Sequence, residues 1–240
     1  MKTMSMITTS LILLTASADA DDHGEKLNYT VHVMKSDFAK ATLYSSGDKI
    51  YGEIKTNEKW KPIFPMDNKI ASRLDSSSFP IETELSFCQR KKLSLYDIKF
   101  MEGAIRVVKS KNGRETRKTR KTNSKAHDLA SWLYYVREIV KKEPDTLASF
   151  KVFSGNKTYD VNLVPLPEEI LKTPLGEKVA KPYKVVVTRP VRYKKEMKIW
   201  FESSGTHTPL RITGKAKLGS FEIMISSIEE KVESKNVQLQ

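Results

Sequence analysis

From Lys26 onward, apolar and polar side chains alternate in short runs divided by turn residues. A period of two sends successive side chains to opposite faces of an extended chain, so these runs read as half-buried antiparallel strands. Tyr29, Val31 and Val33 alternate with Thr30, His32 and Met34. Residues 41–44 lead through Ser45-Ser46-Gly47-Asp48 into 49–54 as a hairpin. The runs 81–87, 93–100 and 104–108 continue the pattern, the last reaching Asn112-Gly113, a pair that tolerates the positive φ of a two-residue hairpin turn. Further runs fall at 150–153, 158–164, 183–188, 197–201, 210–218 and 221–228, punctuated by Ser154-Gly155-Asn156, Ser203-Ser204-Gly205 and Gly219. The count is roughly ten strands.

One segment follows another period. Leu129, Trp132, Leu133, Val136, Ile139 and Val140 recur at the spacing of one helix face. Asp128 is placed as N-cap, Lys141 and Lys142 lie where the C-terminal dipole favours cations, and Pro144 ends the run. A helix over about 128–142 must bury its apolar stripe, and the concave or apolar face of the sheet is the surface available. A shorter helical turn is expected at 168–171, bounded by Pro165, Pro167 and Pro174. The predicted fold is mainly β, of the α+β class: a curved antiparallel sheet or incomplete β-barrel with one amphipathic helix packed on it.

The first residues obey neither period. Lys2 precedes the uncharged stretch 4–17, centred on Leu11-Ile12-Leu13-Leu14, and Ala18-Asp19-Ala20 then offers the two small side chains a signal peptidase requires. The apolar run is too short to anchor in a bilayer. Residues 1–20 are therefore read as a signal peptide cleaved after Ala20, 21–228 as one β-rich domain, and 229–240 as a polar tail. No Cys follows Ala20 within reach of a lipoprotein-type anchor, and no later run is long and apolar enough to span a membrane. The expected location is the periplasm.

Composition sharpens this picture. With 39% apolar residues, 10 Gly and 10 Pro among 240, the chain is a packed domain rather than a disordered or collagen-like one. The single Cys88 forms no internal disulfide, and His23, His32, His127 and His207 are scattered, so no zinc pattern or other metal site is expected and no cofactor is called for. The formal net charge is +13, of which the segment 109–125 supplies +7 through Lys109, Lys111, Arg114, Arg117, Lys118, Arg120, Lys121 and Lys125 against Glu115 alone. Following Asn112-Gly113, it reads as a protruding hairpin arm or loop with solvated charges. It serves either to keep a sheet edge from pairing or to dock on an anionic surface. A second patch comprises Arg189, Arg192, Lys194, Lys195 and Lys198. Export and the absence of a nucleic-acid motif turn the charge away from nucleic acid.

Several stretches together resemble a known family. They are Asp128-Leu129-Ala130-Ser131-Trp132-Leu133-Tyr134-Tyr135-Val136-Arg137, Tyr159-Asp160-Val161, Ile199-Trp200-Phe201 with Pro209-Leu210-Arg211-Ile212, and Lys217-Leu218-Gly219-Ser220-Phe221. They are similar to the exported bacterial proteins grouped as domain of unknown function 3108. Phe38-Ala39-Lys40 departs from the family pattern, where a Gly is usual. The resemblance implies a periplasmic, β-rich domain and no known reaction.

The candidate ligand-binding residues are Arg137, Tyr134, Tyr135, Trp132, Trp200 and Arg211. Arg137 lies at the margin of the apolar helix face and matches the family's Arg. It is either a fork-shaped donor for a ligand carboxylate or phosphate, or the partner of Asp128 or a strand carboxylate that ties helix to sheet. The tyrosines and tryptophans are core aromatics or the walls of a pocket. No nucleophile elbow, zinc-protease motif, phosphate loop or dinucleotide fingerprint occurs. Cys88 reads as an inert apolar residue, and the sequons at Asn28 and Asn156 matter only in a eukaryotic secretory route. The sequence reading is a non-catalytic envelope protein that binds a lipid, lipopolysaccharide or glycan. The alternatives are an accessory protein docking on an envelope assembly or on an acidic protein and, further off, a hydrolase of envelope glycan or peptide.

Overall fold

The structure, a computed structural model, describes residues 24–89, 92–189, 197–216 and 219–230. The expected signal peptide, His23, Arg192, Lys194, Lys195 and the tail from residue 231 lie outside the described residues.

Among the described residues, fifteen strands form one antiparallel sheet, with one helix packed on it. The first eight, β1 (Gly24–Val33), β2 (Ser36–Ser46), β3 (Lys49–Thr56), β4 (Met66–Leu74), β5 (Pro80–Gln89), β6 (Lys92–Met101), β7 (Ala104–Lys111) and β8 (Arg114–Lys121), run up and down in chain order. After α1 (Ser131–Lys142) the chain restarts at the opposite edge with β9 (Ala148–Phe153) and β10 (Thr158–Pro165). It returns through β12 (Gly176–Arg189), β13 (Met197–Glu202), β14 (Pro209–Ala216) and β15 (Gly219–Glu230), which pairs with β1. A short β11 (Glu169–Thr173) adds to the end of the long β12 that β10 leaves uncovered.

The two edges, β8 and β9, approach each other without a ladder. His127, just past β8, makes an isolated parallel bridge to β9, its N–H donating to Lys151 O at 2.8 Å and its carbonyl accepting from Phe153 N at 2.7 Å. The β9–β10 turn enters between the edges: a Cβ on Gly155 would stand 3.5–3.8 Å from the Leu85, Tyr96 and Ile98 side chains of β5 and β6. Gly155 has φ +77°, which a β-branched or bulky residue adopts only under strain. Asn156 beside it accepts a 3.2 Å hydrogen bond from Arg120 of β8. The result is barrel-like but not closed.

Alternation along the strands explains the core. Leu27, Leu43, Ile70, Leu85 and Tyr96 lie on one row of paired residues that crosses β1 to β6, and each is at most 5% exposed. Every such aliphatic side chain taken from water contributes about 1.5–3 kcal/mol. The same row continues into Lys109 of β7 and Thr116 of β8, and the rows beside it run Ile98–Val107–Lys118 and Phe100–Ile105–Arg120. The inner face thus changes from apolar to cationic as it reaches the open edge.

Two expectations about the strands are corrected. The strand count is fifteen rather than roughly ten, because β4, β8 and β11 carry little apolar alternation. β4 turns Met66, Asn68, Ile70 and Ser72 inward, half of them polar, and β8, sequence RETRKTRK, has no apolar residue at all. The basic segment takes the hairpin form of the two anticipated: β8 is a strand at the sheet edge, hydrogen-bonded to β7 along its length. The expected helical turn at 168–171 is β11, because Pro174 and Gly176, with φ +98°, close a tight hairpin onto β12.

The helix begins three residues later than Asp128, at Ser131. Asp128 still organises its entry: Oδ1 accepts from the N–H groups of Ala130 and Ser131 at 2.8 and 2.7 Å, while the Ser131 hydroxyl accepts from Asp128 N at 3.0 Å. This is a reciprocal capping arrangement at the entrance to the helix. Thr83 of β5 donates to Asp128 Oδ2 and ties the entry to the sheet. Trp132, Val136 and Val140 form the buried stripe.

Candidate functional site

The residues singled out from the sequence separate into three places. The first is the junction of α1 with β1. Arg137 donates in a bidentate pair to Glu25 of β1, with Nη2 2.9 Å from Oε1 and Nη1 on Oε2, and its Nε donates to Thr206 O at 2.7 Å. Burial opposes the guanidinium charge, but Glu25 more than offsets it, and the Arg137 pKa lies above its ordinary value. The fork is therefore filled by the protein, and of the two roles anticipated for Arg137 this geometry matches the tie between helix and sheet.

Tyr29 and Tyr134 complete the junction. Tyr29 donates to Pro209 O at 2.9 Å, and burial pushes both phenols well above their ordinary pKa, so each stays a neutral hydroxyl. Trp132 stacks on Phe150 at 6.2 Å between centroids. Tyr135 lies in another aromatic group: His127 is sandwiched between Phe79 at 4.4 Å and Tyr135 at 4.2 Å. Burial pushes the His127 pKa down to about 4, against the pull of Asp128 and Asp75, and its Nε2 has no hydrogen-bond partner. Trp132, Tyr135 and Arg137 are thus engaged within the protein, while Tyr134 packs against the core and its buried hydroxyl has no hydrogen-bond partner among the described residues.

The second place is the seam at β7 and β8. Register puts Lys109, Lys111, Arg114, Lys118 and Arg120 on the inward side and Arg117 and Lys121 with Glu115 on the outward side. Arg117 pairs with Glu115 at 2.6 Å, and Lys125, beyond the strand, with Asp75 at 2.9 Å. The five inward cations have no carboxylate partner among the described residues. Lys109 lies over the Tyr96 ring, 4.8 Å from its centroid. Lys109, Lys118 and Arg120 line a cleft of about 240 Å³ with Tyr96 and Asn156, and no acid faces it.

The third place is the outer face of β13–β15. Trp200 and Arg211 are directly paired across strands, and the Arg211 guanidinium sits 5.0 Å from the Trp200 ring centroid. Trp200 Nε1 donates to Glu169 at 2.6 Å, and Arg211 pairs with Glu222 at 2.5 Å. A groove of about 450 Å³ runs beside them, lined also by Lys198, Thr213, Lys215 and Ser220 and, from the β1–β2 turn, Lys35. The structure thus joins Trp200, Arg211 and Lys198 and separates them from the helix candidates. A further groove, near 680 Å³, lies between the β4–β5 loop, the β6–β7 turn and residues 122–126.

Sequence reasoning did not find Glu25, Lys35, Lys215 or Asn156. Lys215 carried a usable signal, since Arg211, Thr213 and Lys215 recur at period two and share one face. Glu25 and Lys35 carried none, because only the β1–β15 and β1–β2 registers bring them to their sites.

No curated protein matches the sequence. Among solved structures the chain is similar to a beta-barrel-like protein of domain of unknown function DUF1849 from Brucella abortus, with TM-score 0.59 and 10% identity over 92% of this chain and 99% of that one. That likeness is one of fold. Weaker likenesses are to a protein provisionally labelled a lipoprotein from Parabacteroides distasonis (TM-score 0.36, 10% identity, 87% of this chain and 96% of that one) and to one provisionally labelled exported, with a YmcC-like fold, from Bacteroides fragilis (TM-score 0.30, 6% identity, 91% and 99%). The model of the family described as protein of unknown function DUF3108 matches residues 28–226, and the chain belongs to that family.

Proposed function

We propose that this is an exported, non-catalytic binding protein of the cell envelope that engages an anionic or amphipathic component, a lipid, lipopolysaccharide or glycan, through cations on its sheet rather than through its helix. The observation that carries this reading is the inward row Lys109, Lys111, Arg114, Lys118 and Arg120 at the open seam, five cations without a carboxylate partner among the described residues. Each charge brought near an anionic bilayer is worth about 1 kcal/mol. The order of residues 1–20 supports the route to the envelope.

Co-sedimentation with anionic vesicles or lipopolysaccharide tests the reading. Replacing Lys109, Lys111, Arg114, Lys118 and Arg120 by Ser is expected to weaken association and flatten its dependence on salt, with the melting temperature nearly unchanged. Unaltered association contradicts it.

A second reading has its own support. Among the described residues β8 pairs only with β7, so the backbone groups along its other edge are open to a strand from an acidic partner protein. In that case the same Ser variant keeps its lipid association and loses a protein partner.

A further inference from the structure

We propose that the groove on the outer face of β13–β15 is a separate binding site for a phosphate-bearing group. Register builds it. Lys198 of β13 is directly opposite Thr213 of β14, and Lys215 is opposite Ser220 of β15. Two residues on from Lys198 and two back from Thr213 stand Trp200 and Arg211, on the same face. Lys35 reaches the groove from a two-residue turn in which it and Met34 both have positive φ, 66° and 50°.

The charge balance of the groove points to an anion. Its only lining carboxylate among the described residues, Glu222, is taken by Arg211. Lys35, Lys198 and Lys215 have no acidic partner among the described residues. On the far side of β13, Lys198 is also directly opposite Lys184 of β12, and like charges in that position destabilise a sheet. Among the described residues no acid pairs with either lysine to offset that cost, and a bound anion would offset it.

The choice of phosphate follows from the donors. Ammonium groups act as point charges that suit a compact, multiply charged oxyanion, and the Thr213 and Ser220 hydroxyls add neutral donors. Arg211, fixed on Trp200 and Glu222, keeps a buried Nε–H that has no partner among the described residues. A volume near 450 Å³ lies within the range of small-molecule sites, about 300–1,000 Å³, and holds a phosphate together with the group that bears it. The site shares no residue with the β7–β8 row, so it stands or falls independently of the role proposed there.

The test is an amide NMR titration of the described domain within the full chain, using inorganic phosphate, then phosphatidylglycerol vesicles, with phosphatidylcholine vesicles as the neutral control. Saturable shifts are expected at Thr213, Gly214 and Ser220. They should be weakened at least tenfold in the Lys35→Ser/Lys198→Ser/Lys215→Ser variant and unchanged when Arg117, Lys118, Arg120 and Lys121 of β8 are Ser. Saturation by phosphate alone identifies a soluble phosphate ligand, and a response confined to phosphatidylglycerol identifies a lipid headgroup; both support the site. The single Lys198→Ser variant guards against misfolding of the triple one, and it should melt higher than the wild type while binding phosphate more weakly. Absence of saturable shifts with both anionic probes, or an equal response in the triple variant, overturns the proposal.

Discussion

The junction of α1 with β1 and the edge hairpin β7–β8 treat charge in opposite ways. At the junction, Arg137 spends its donors on Glu25 and Thr206, and the surrounding phenols are held neutral by burial. At the edge, five cations face inward with no carboxylate partner among the described residues. A closed network of this kind holds the fold together, whereas an unpaired row is free to meet something that is not part of the chain. The contrast separates two roles that the same residue type could fill, and on it rests the proposal that the helix serves architecture and the sheet surfaces serve recognition.

The largest expected effect lies at the junction. Arg137→Met leaves Glu25 half-enclosed without its partner and should cost about 3 kcal/mol, read as a lower urea midpoint. At temperatures where the variant is folded, its association with anionic vesicles should match the wild type. Normal stability with lost association would invert the comparison.

A pH effect of similar size is expected from His127. Above pH 6.5 the imidazole is neutral in both the folded and unfolded chain and contributes no pH dependence. Between pH 6.5 and about 4 the unfolded chain takes up the proton and the folded chain does not, so stability falls as pH falls and levels off below about 4. The span amounts to roughly 3 kcal/mol. His127→Phe keeps a ring between Phe79 and Tyr135 and should remove that part of the slope in denaturation curves taken across this range. An unchanged slope would mean that His127 is solvated and does not clamp the seam.

A smaller effect of opposite sign is expected in the N-terminal half of the sheet. Asn68 is fully buried on β4 between Ile54 and Phe87, and neither its Oδ1 nor its Nδ2 has a partner among the described residues. Asn68→Leu should raise stability by about 1 kcal/mol, because it removes an unsatisfied polar group while keeping the branching at Cγ. A loss would show that the amide meets a bound water or ligand.

The smallest effect belongs to the edge. The Ser variant at Arg117, Lys118, Arg120 and Lys121 should move stability by less than about 0.5 kcal/mol, since exposed charges contribute little. A larger loss would recast the row as part of the closure, acting through Arg120 and Asn156.

The legibility of the molecule divides along similar lines. Twelve of the strands and the amphipathic helix could be read from period alone, because their core faces are continuous in the chain. β8 could not, since a strand without apolar residues is held only by the ladder that β7 extends to it. β11 could not, because its flanking prolines suit a helical turn as well as a hairpin, and the uncovered end of β12 decides between them. For the sites, the choice of Arg137, Trp200 and Arg211 came from residue type and family resemblance, but their roles depended on register. Glu25 meets Arg137 across 112 residues of chain, and no local pattern encodes that meeting. The pairing of Lys198 with Thr213 and of Lys215 with Ser220 likewise comes from the ladder rather than from the chain.

The central claim is that unpaired cations on the sheet, and not the helix arginine, carry association with an anionic envelope component. It is tested most directly by measuring binding to phosphatidylglycerol vesicles across a salt series for three proteins: the wild type, Arg137→Met, and a variant with Lys109, Lys111, Arg114, Lys118 and Arg120 replaced by Ser. The account predicts that wild type and Arg137→Met share one affinity and one salt dependence, while the five-cation variant binds more weakly and loses most of that dependence. Binding that survives in the five-cation variant and disappears with Arg137→Met would contradict it.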